Sequence, residues 1–164
     1  MPAPDLKKRL AAIRAFDWEI EAKGIVDRHT QDITELQTEQ MRAGKDKNDN
    51  WIRPYYSENP FFKSPESAMR YAKWKSHISP NKDKPFNVPD LFIIGTYHNS
   101  VRTEVSGDKF KIKGTASFAF SVESVHKDAL GLNSESRHFF IEKFTIPEIT
   151  KILKNKLGVT LSRP

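Results

Sequence analysis

The chain has no cysteine, which excludes disulfides, thiolate nucleophiles and Cys-bearing zinc sites together and leaves no mark of an oxidising compartment. It also lacks any apolar run approaching the roughly 18 to 20 residues that a bilayer span needs. Met1-Pro2-Ala3-Pro4 leads into Lys7-Lys8-Arg9 and a mixed helix, not a signal-peptide core. The expectation is a protein of the cytosol, or of a particle assembled there, with no membrane partner.

Metal and catalytic signatures are equally scarce. His29, His77, His98, His126 and His138 are scattered, and no two stand at the helical spacing that would put two imidazoles on one metal. There is no P-loop, no G-x-G-x-x-G after a strand and no G-x-S-x-G elbow. Ser124-Val125-His126-Lys127 matches S-x-x-K in form but lacks the partner motifs of serine acylases. No catalytic residue, cofactor or metal is assigned. A carboxylate pair converging only in space would make a small hydrolase, a third-ranked reading with no residue pointing to it.

What is present is enough for one domain: 164 residues with a formal charge of +6. Residues 5–43 lack proline and are rich in helix formers. Their apolar phase shifts, with Leu6, Leu10, Ile13 and Ile20 on one side and Ile25, Val26, Ile33 and Leu36 on roughly the opposite side. Either the helix breaks near Gly24 or it serves two partners; we divide the chain into a helical arm, 1–24, and one α+β domain, 25–164. The stripe Leu6, Leu10, Ile13 and Ile20 is the candidate subunit interface. Gly44 is a stop signal, and Pro54 restricts Trp51 to Tyr56 to an edge or extended segment.

Ser64-Pro65 predicts a helix start, with Met69, Ala72 and Ile78 facing inward and an end before Pro80. Asp90 is read as the N-cap of a short helix through Leu91, Ile94 and Tyr97. From Ser100 the apolar period drops to two, and Ser106-Gly107-Asp108 supplies a turn, so Val101, Thr103 and Val105 face inward with Phe110 and Ile112 while lysines face out. Phe118, Val122, Val125 and Ala129 suggest another short helix. Thr145-Ile146-Pro147-Glu148 matches a capping box opening the last helix, which Gly158 closes. The fold class expected is α+β: a small antiparallel sheet built on a β-hairpin, packed against a long N-terminal helix and a C-terminal helix.

One local concentration of cations is interleaved with aromatics: Arg70, Lys73, Trp74, Lys75, Lys82 and Lys84 around Tyr71. This composition suits a polyanion, so a small basic nucleic-acid-binding module is the alternative function. An amphipathic helix burying Trp74 beneath lysine stems would read the same way.

Three blocks carry a resemblance to a known family: Gly44-Lys45-Asp46 with Trp51, Pro54 and Ser57; Leu91, Gly95, Tyr97, Ser100 and Val101 with Gly107-Asp108-x-Phe110-x-Ile112; and Phe118-Ala119 with His126, then Arg137-His138-Phe139-Phe140. Together they resemble the bacteriophage virion morphogenesis or tail-completion family, similar to the phage Mu G protein; Ile94 stands where that family has threonine. The resemblance implies no enzymatic site. It implies a small α/β structural subunit at the head-tail connector, neck or tail-completion position, forming a homo-oligomer, commonly a ring, with other connector or tail proteins. It would be assembled in the host bacterial cytoplasm and located in the virion, with contact to packaged DNA as a further possibility.

Overall fold

The computed structural model describes residues 3–107 and 109–158. The chain is α+β: a two-stranded antiparallel hairpin among helices. Three helices, α1 (Ala3–Arg14), α2 (Trp18–Arg28) and α3 (Thr30–Arg42), occupy the expected helical N-terminal region. Of the two alternatives, a break near Gly24 or one helix serving two partners, the region is broken, but not at Gly24. Gly24 is inside α2, and the chain turns at Asp17, whose carboxylate caps α2 by accepting from Ile20 N at 3.1 Å. It turns again at His29, whose ring packs on Phe144 with centroids 4.6 Å apart.

After α3, Gly44 takes φ +73°, and a Cβ there would sit 2.8 Å from Val88 Cγ1, so both conformation and space require glycine. Trp51 makes one isolated antiparallel bridge with Lys45, in line with its extended reading, and Ile52 is buried behind it. A 3₁₀ turn (Tyr56–Glu58) leads to α4 (Pro65–Ile78). Ser64 and Ser67 cap α4 reciprocally. The short α5 (Thr96–Ser100) runs directly into β1 (Val101–Ser106), which pairs with β2 (Lys109–Gly114) in the register Val101↔Gly114 to Ser106↔Lys109. Then come α6 (Ala119–Val125), α7 (Ser134–Phe140) and α8 (Ile146–Leu157).

The core joins Ile33 and Met41 of α3 to Ile52, Tyr97, Val101, Ile112, Ala119 and Phe140. Helix α3 crosses the base of β1, where the Thr34 and Thr103 hydroxyls meet at 2.8 Å. Towards the tip the cover ends: Val105 is half-buried and Phe110 is 42% exposed, not the core residues expected. Two buried glutamines of α3 hold the loop before α7. Gln37 donates to Ala129 O and accepts from Gly131 N, while Gln40 donates to Gly131 O and accepts from Asn133 N. Each amide therefore satisfies one backbone donor and one backbone acceptor that burial would otherwise orphan.

The capping box expected at Thr145 does not form. Thr145 is itself helical, with no side-chain cap, because the helix begins earlier, at Asn133, which accepts from Ser136 N at 2.9 Å. Residues Ile141–Thr145 form a π-helical turn in which Ile146 N–H reaches back to Ile141 O. The wider turn accommodates Pro147, which has no N–H to give. Before the turn α7 packs on α3, whereas beyond it α8 packs on α1 and carries the buried Ile152 and Leu153. Arg28–Glu148 at 2.7 Å and Glu21–Lys156 tie α8 to α2.

Candidate interaction surface

The segment from Pro89 to Gly95 is where sequence reasoning and structure part most. Asp90 does not cap a helix through Leu91: α5 starts only at Thr96, and Leu91 has φ +55°, a left-handed conformation that a bulky residue rarely adopts. Asp90 is instead fully buried at the centre of a polar cluster. Its Oδ1 accepts from Lys75 Nζ at 2.6 Å and from Phe92 N at 3.1 Å, and its Oδ2 accepts from Ser79 Oγ at 2.5 Å. Its backbone carbonyl accepts from His98 Nε2–H at 2.8 Å. Lys84 Nζ donates to Val88 O at 2.6 Å and lies 3.8 Å from Oδ2.

Burial pushes the Asp90 carboxyl up, but the hydrogen bonds from Lys75 and Ser79 and the Lys75 charge outweigh it and hold the group below the usual carboxylate value. Burial pulls Lys84 down, with Asp90 opposing. Burial likewise pulls His98 down against its bond to the Asp90 carbonyl. With the carboxylate of Asp90 bonded from the end of α4 and its carbonyl from α5, the cluster fixes Pro89 to Gly95 to α4 on one side and α5 on the other.

What the fixed segment presents is apolar. Ile93 is 53% and Ile94 81% exposed at the rim of a groove of about 600 Å³. One wall comes from the 3₁₀ turn and α4. The small Ala68 and Ala72 are buried on the inner face of α4, which lets Tyr71 approach Tyr56 and Phe62 with ring centroids 5.2 and 5.1 Å away. The other wall is Tyr97 with Phe118, Val122 and Val125 of α6, and α6 is drawn close by Gly114, where a Cβ would meet Ala119 Cβ at 2.8 Å. Glu123 anchors that wall by accepting from Gly114 N at 2.7 Å.

The phenols and the imidazole lining the groove are held neutral. Burial raises the phenols of Tyr56, Tyr71 and Tyr97 well above their ordinary value and lowers His126, whose Nδ1–H donates to Arg53 O at 2.8 Å. The ammonium of Lys75 points at Asp90. The groove can therefore take apolar side chains of a partner, with Phe61 and Phe120, 82% and 83% exposed, as additional contact area nearby. Among the described residues no group of three or more His, Asp or Glu side chains is placed to hold a metal ion.

No family model, curated protein or solved structure matches the chain.

The residues singled out in the sequence are distributed differently from expectation. The candidate interface stripe is divided by the turn at Asp17. Leu10 on α1 is 47% exposed, Ile20 on α2 is 65% exposed and Ile13 is half-buried, while the side chain of Leu6 lies outside the described residues. The candidate polyanion cluster loses two of its members to the interior, while Arg70, Lys73, Trp74 and Lys82 are exposed. Lys75 and Lys84 are buried against Asp90 and cannot reach a polyanion, and Lys82 donates to Ser76 O and His77 O at the end of α4. Arg70, Lys73 and the 48% exposed Trp74 remain outward. Met69, expected inside, is 40% exposed because the inner stripe of α4 runs through Ala68, Ala72 and Lys75. That i, i+4, i+7 spacing was the available signal that Lys75 points inward. For Asp90 the signal was a lone carboxylate flanked by Val88, Pro89 and Leu91.

Proposed function

We propose that the chain is a structural subunit of a bacteriophage virion, at the head-tail connector, neck or tail-completion position, and that it works by holding neighbouring subunits and not by catalysis. The observation that carries the proposal is the neutral apolar groove rimmed by Ile93 and Ile94, on a segment that the buried Asp90 cluster holds rigid. Exposed aliphatic side chains on a preorganised backbone lose little entropy on docking, which suits a permanent assembly contact. The three sequence blocks add the family context, and the exposed Leu10 and Ile20 offer a further apolar patch to a neighbour in a homo-oligomer. The particle is assembled in the host bacterial cytoplasm, and the chain remains in the virion.

The test is made on particles from a lysate of the phage or prophage that encodes the chain. Mass spectrometry of purified virions should find it at a fixed copy number, and Ile93→Asp with Ile94→Asp should leave the isolated protein folded while finished particles disappear. Absence of the chain from complete particles would refute the virion assignment. Normal particle yield from the double variant would refute the groove as the assembly contact.

A further inference from the structure

Outside the Asp90 cluster, which takes Lys75 and Lys84, the cations gather most regularly on the hairpin. Lys109, Lys111 and Lys113 alternate along β2 on its outer face, each about 7 Å from the next at two residues per repeat. Across from them on the same face of β1 stand Arg102, Glu104 and Ser106. The register places Arg102 directly opposite Lys113, a like-charge cross-strand pair that a sheet selected for stability alone would avoid. Glu104 answers one lysine, Lys113 at 2.8 Å, through a pair that is 38% and 54% exposed and therefore easily exchanged. Lys109 and Lys111 have no ion pair among the described residues, where pairs of Lys47, Lys113 and Lys156 with carboxylates are present. The turn residue Asp108 is the other acidic residue of the hairpin sequence.

Among the described residues the ribbon is two strands wide and joined by no further strand, and it extends past the cover of α3, leaving Phe110 exposed near its tip. A two-stranded ribbon is an element that a duplex major groove admits, and lysines about 7 Å apart match the separation of successive phosphates along a nucleic-acid strand. Three lysines on a face with a single answering carboxylate among the described residues, one of them opposite an arginine, form an arrangement that function explains better than folding does. We infer that the outer face of the hairpin, centred on Lys109, Lys111 and Lys113, binds the phosphate backbone of duplex DNA without reading its sequence. This surface is separate from the apolar groove, and its charge complements a polyanion where the groove's neutrality does not.

Fluorescence anisotropy of the full-length chain with a labelled 20-base-pair duplex, at 50 to 200 mM NaCl, measures the contact. Three phosphate contacts predict a slope of log K against log salt of about −2.7 for duplex, and so about 40-fold weaker binding across that range. Lys109→Gln, Lys111→Gln and Lys113→Gln together should abolish binding with the melting temperature preserved, and each single variant should reduce the slope by about 1. Should the triple variant fail to fold, the single-variant slopes decide. Arg70→Gln with Lys73→Gln should bind as the parent does. The inference is overturned by absence of binding at 50 mM NaCl, by single variants that retain the parent slope, or by loss of binding in the Arg70/Lys73 variant. Poly-glutamate competing as well as DNA at equal charge would also overturn it, pointing to an acidic protein surface. Because this assay uses the isolated chain, its failure leaves the virion assignment standing, and absence from virions leaves the DNA contact standing.

Discussion

Lys75 and Lys84 differ from Lys109, Lys111 and Lys113 in everything except charge. The first two are buried around one carboxylate, where their removal from water is offset by Asp90 and the Val88 carbonyl. The other three stand in water on one face of a strand, with a single carboxylate opposite them on the described residues of that face. In the interior, charge positions backbone; on the hairpin, it is left available. The difference lies in the backbone: α4 turns Lys75 inward with Ala68 and Ala72, and the pleat of β2 turns alternate residues outward.

The comparison breaks most sharply at Asp90. Asp90→Ala leaves Lys75 buried without its partner and should cost about 3–5 kcal/mol, read as a lower urea midpoint at pH 7. It should also loosen the segment from Pro89 to Gly95, so hydrogen exchange at Phe92 N, now bonded to Asp90 Oδ1, should quicken. An unchanged midpoint would mean that the cluster contributes no net stability.

Acid gives a second, smaller separation. His98 and His126 titrate below their ordinary value of 6.5 in the folded chain, so as pH falls past about 6.5 the unfolded chain takes up protons first and stability declines. Asp90 is held below its ordinary 3.8; its contribution is complete above that value and is lost as pH falls through the folded one. Urea midpoints between pH 8 and 2 should therefore fall in two stages. Asp90→Asn should shrink the lower stage, to which Glu58 and Glu66 also contribute, and keep the upper. The triple glutamine variant of the hairpin leaves Asp90, His98 and His126 in place and should show the same two stages.

The smallest effect belongs to the hairpin itself. Replacing Lys109, Lys111 and Lys113 by glutamine should change stability by no more than about 0.5 kcal/mol, because relief of the Arg102–Lys113 repulsion and loss of the exposed Glu104–Lys113 pair oppose one another. A loss well beyond that would show the lysine stems to be packed against the sheet, and the hairpin would then belong with the interior set.

Features governed by local periodicity were legible in the sequence. The hairpin and its turn, the Ser64 cap, the stop at Gly44 and the closing Gly158 follow from period, cap and left-handed glycine, and all appear in the structure. Features set by partners distant in sequence were not. Thr145 and Glu148 have the spacing of a capping box, but the helix had already started at Asn133, whose position depends on Gln40, 93 residues away. Asp90 resembles an N-cap because caps and buried ion-pair centres use the same residue, and only the approach of Lys75 and Ser79 distinguishes them. The groove was out of reach for a similar reason, since its two walls are contributed by segments roughly sixty residues apart.

The π-helical turn at Ile141–Thr145 lets one length of helix serve two neighbours. An added residue in a turn rotates everything after it by about 100° around the axis. The apolar side that meets α3 through Phe140 is thereby redirected, and Ile152 and Leu153 are buried where α8 meets the N-terminal helices. The turn acts as a phase shifter, and the helix as a splint fastened to two layers at different angles. Side-chain identity within the turn matters less than residue number. Exchanging the exposed Glu142 or Lys143 leaves the phase intact, whereas deleting either one would straighten the helix and swing its second half off the N-terminal layer.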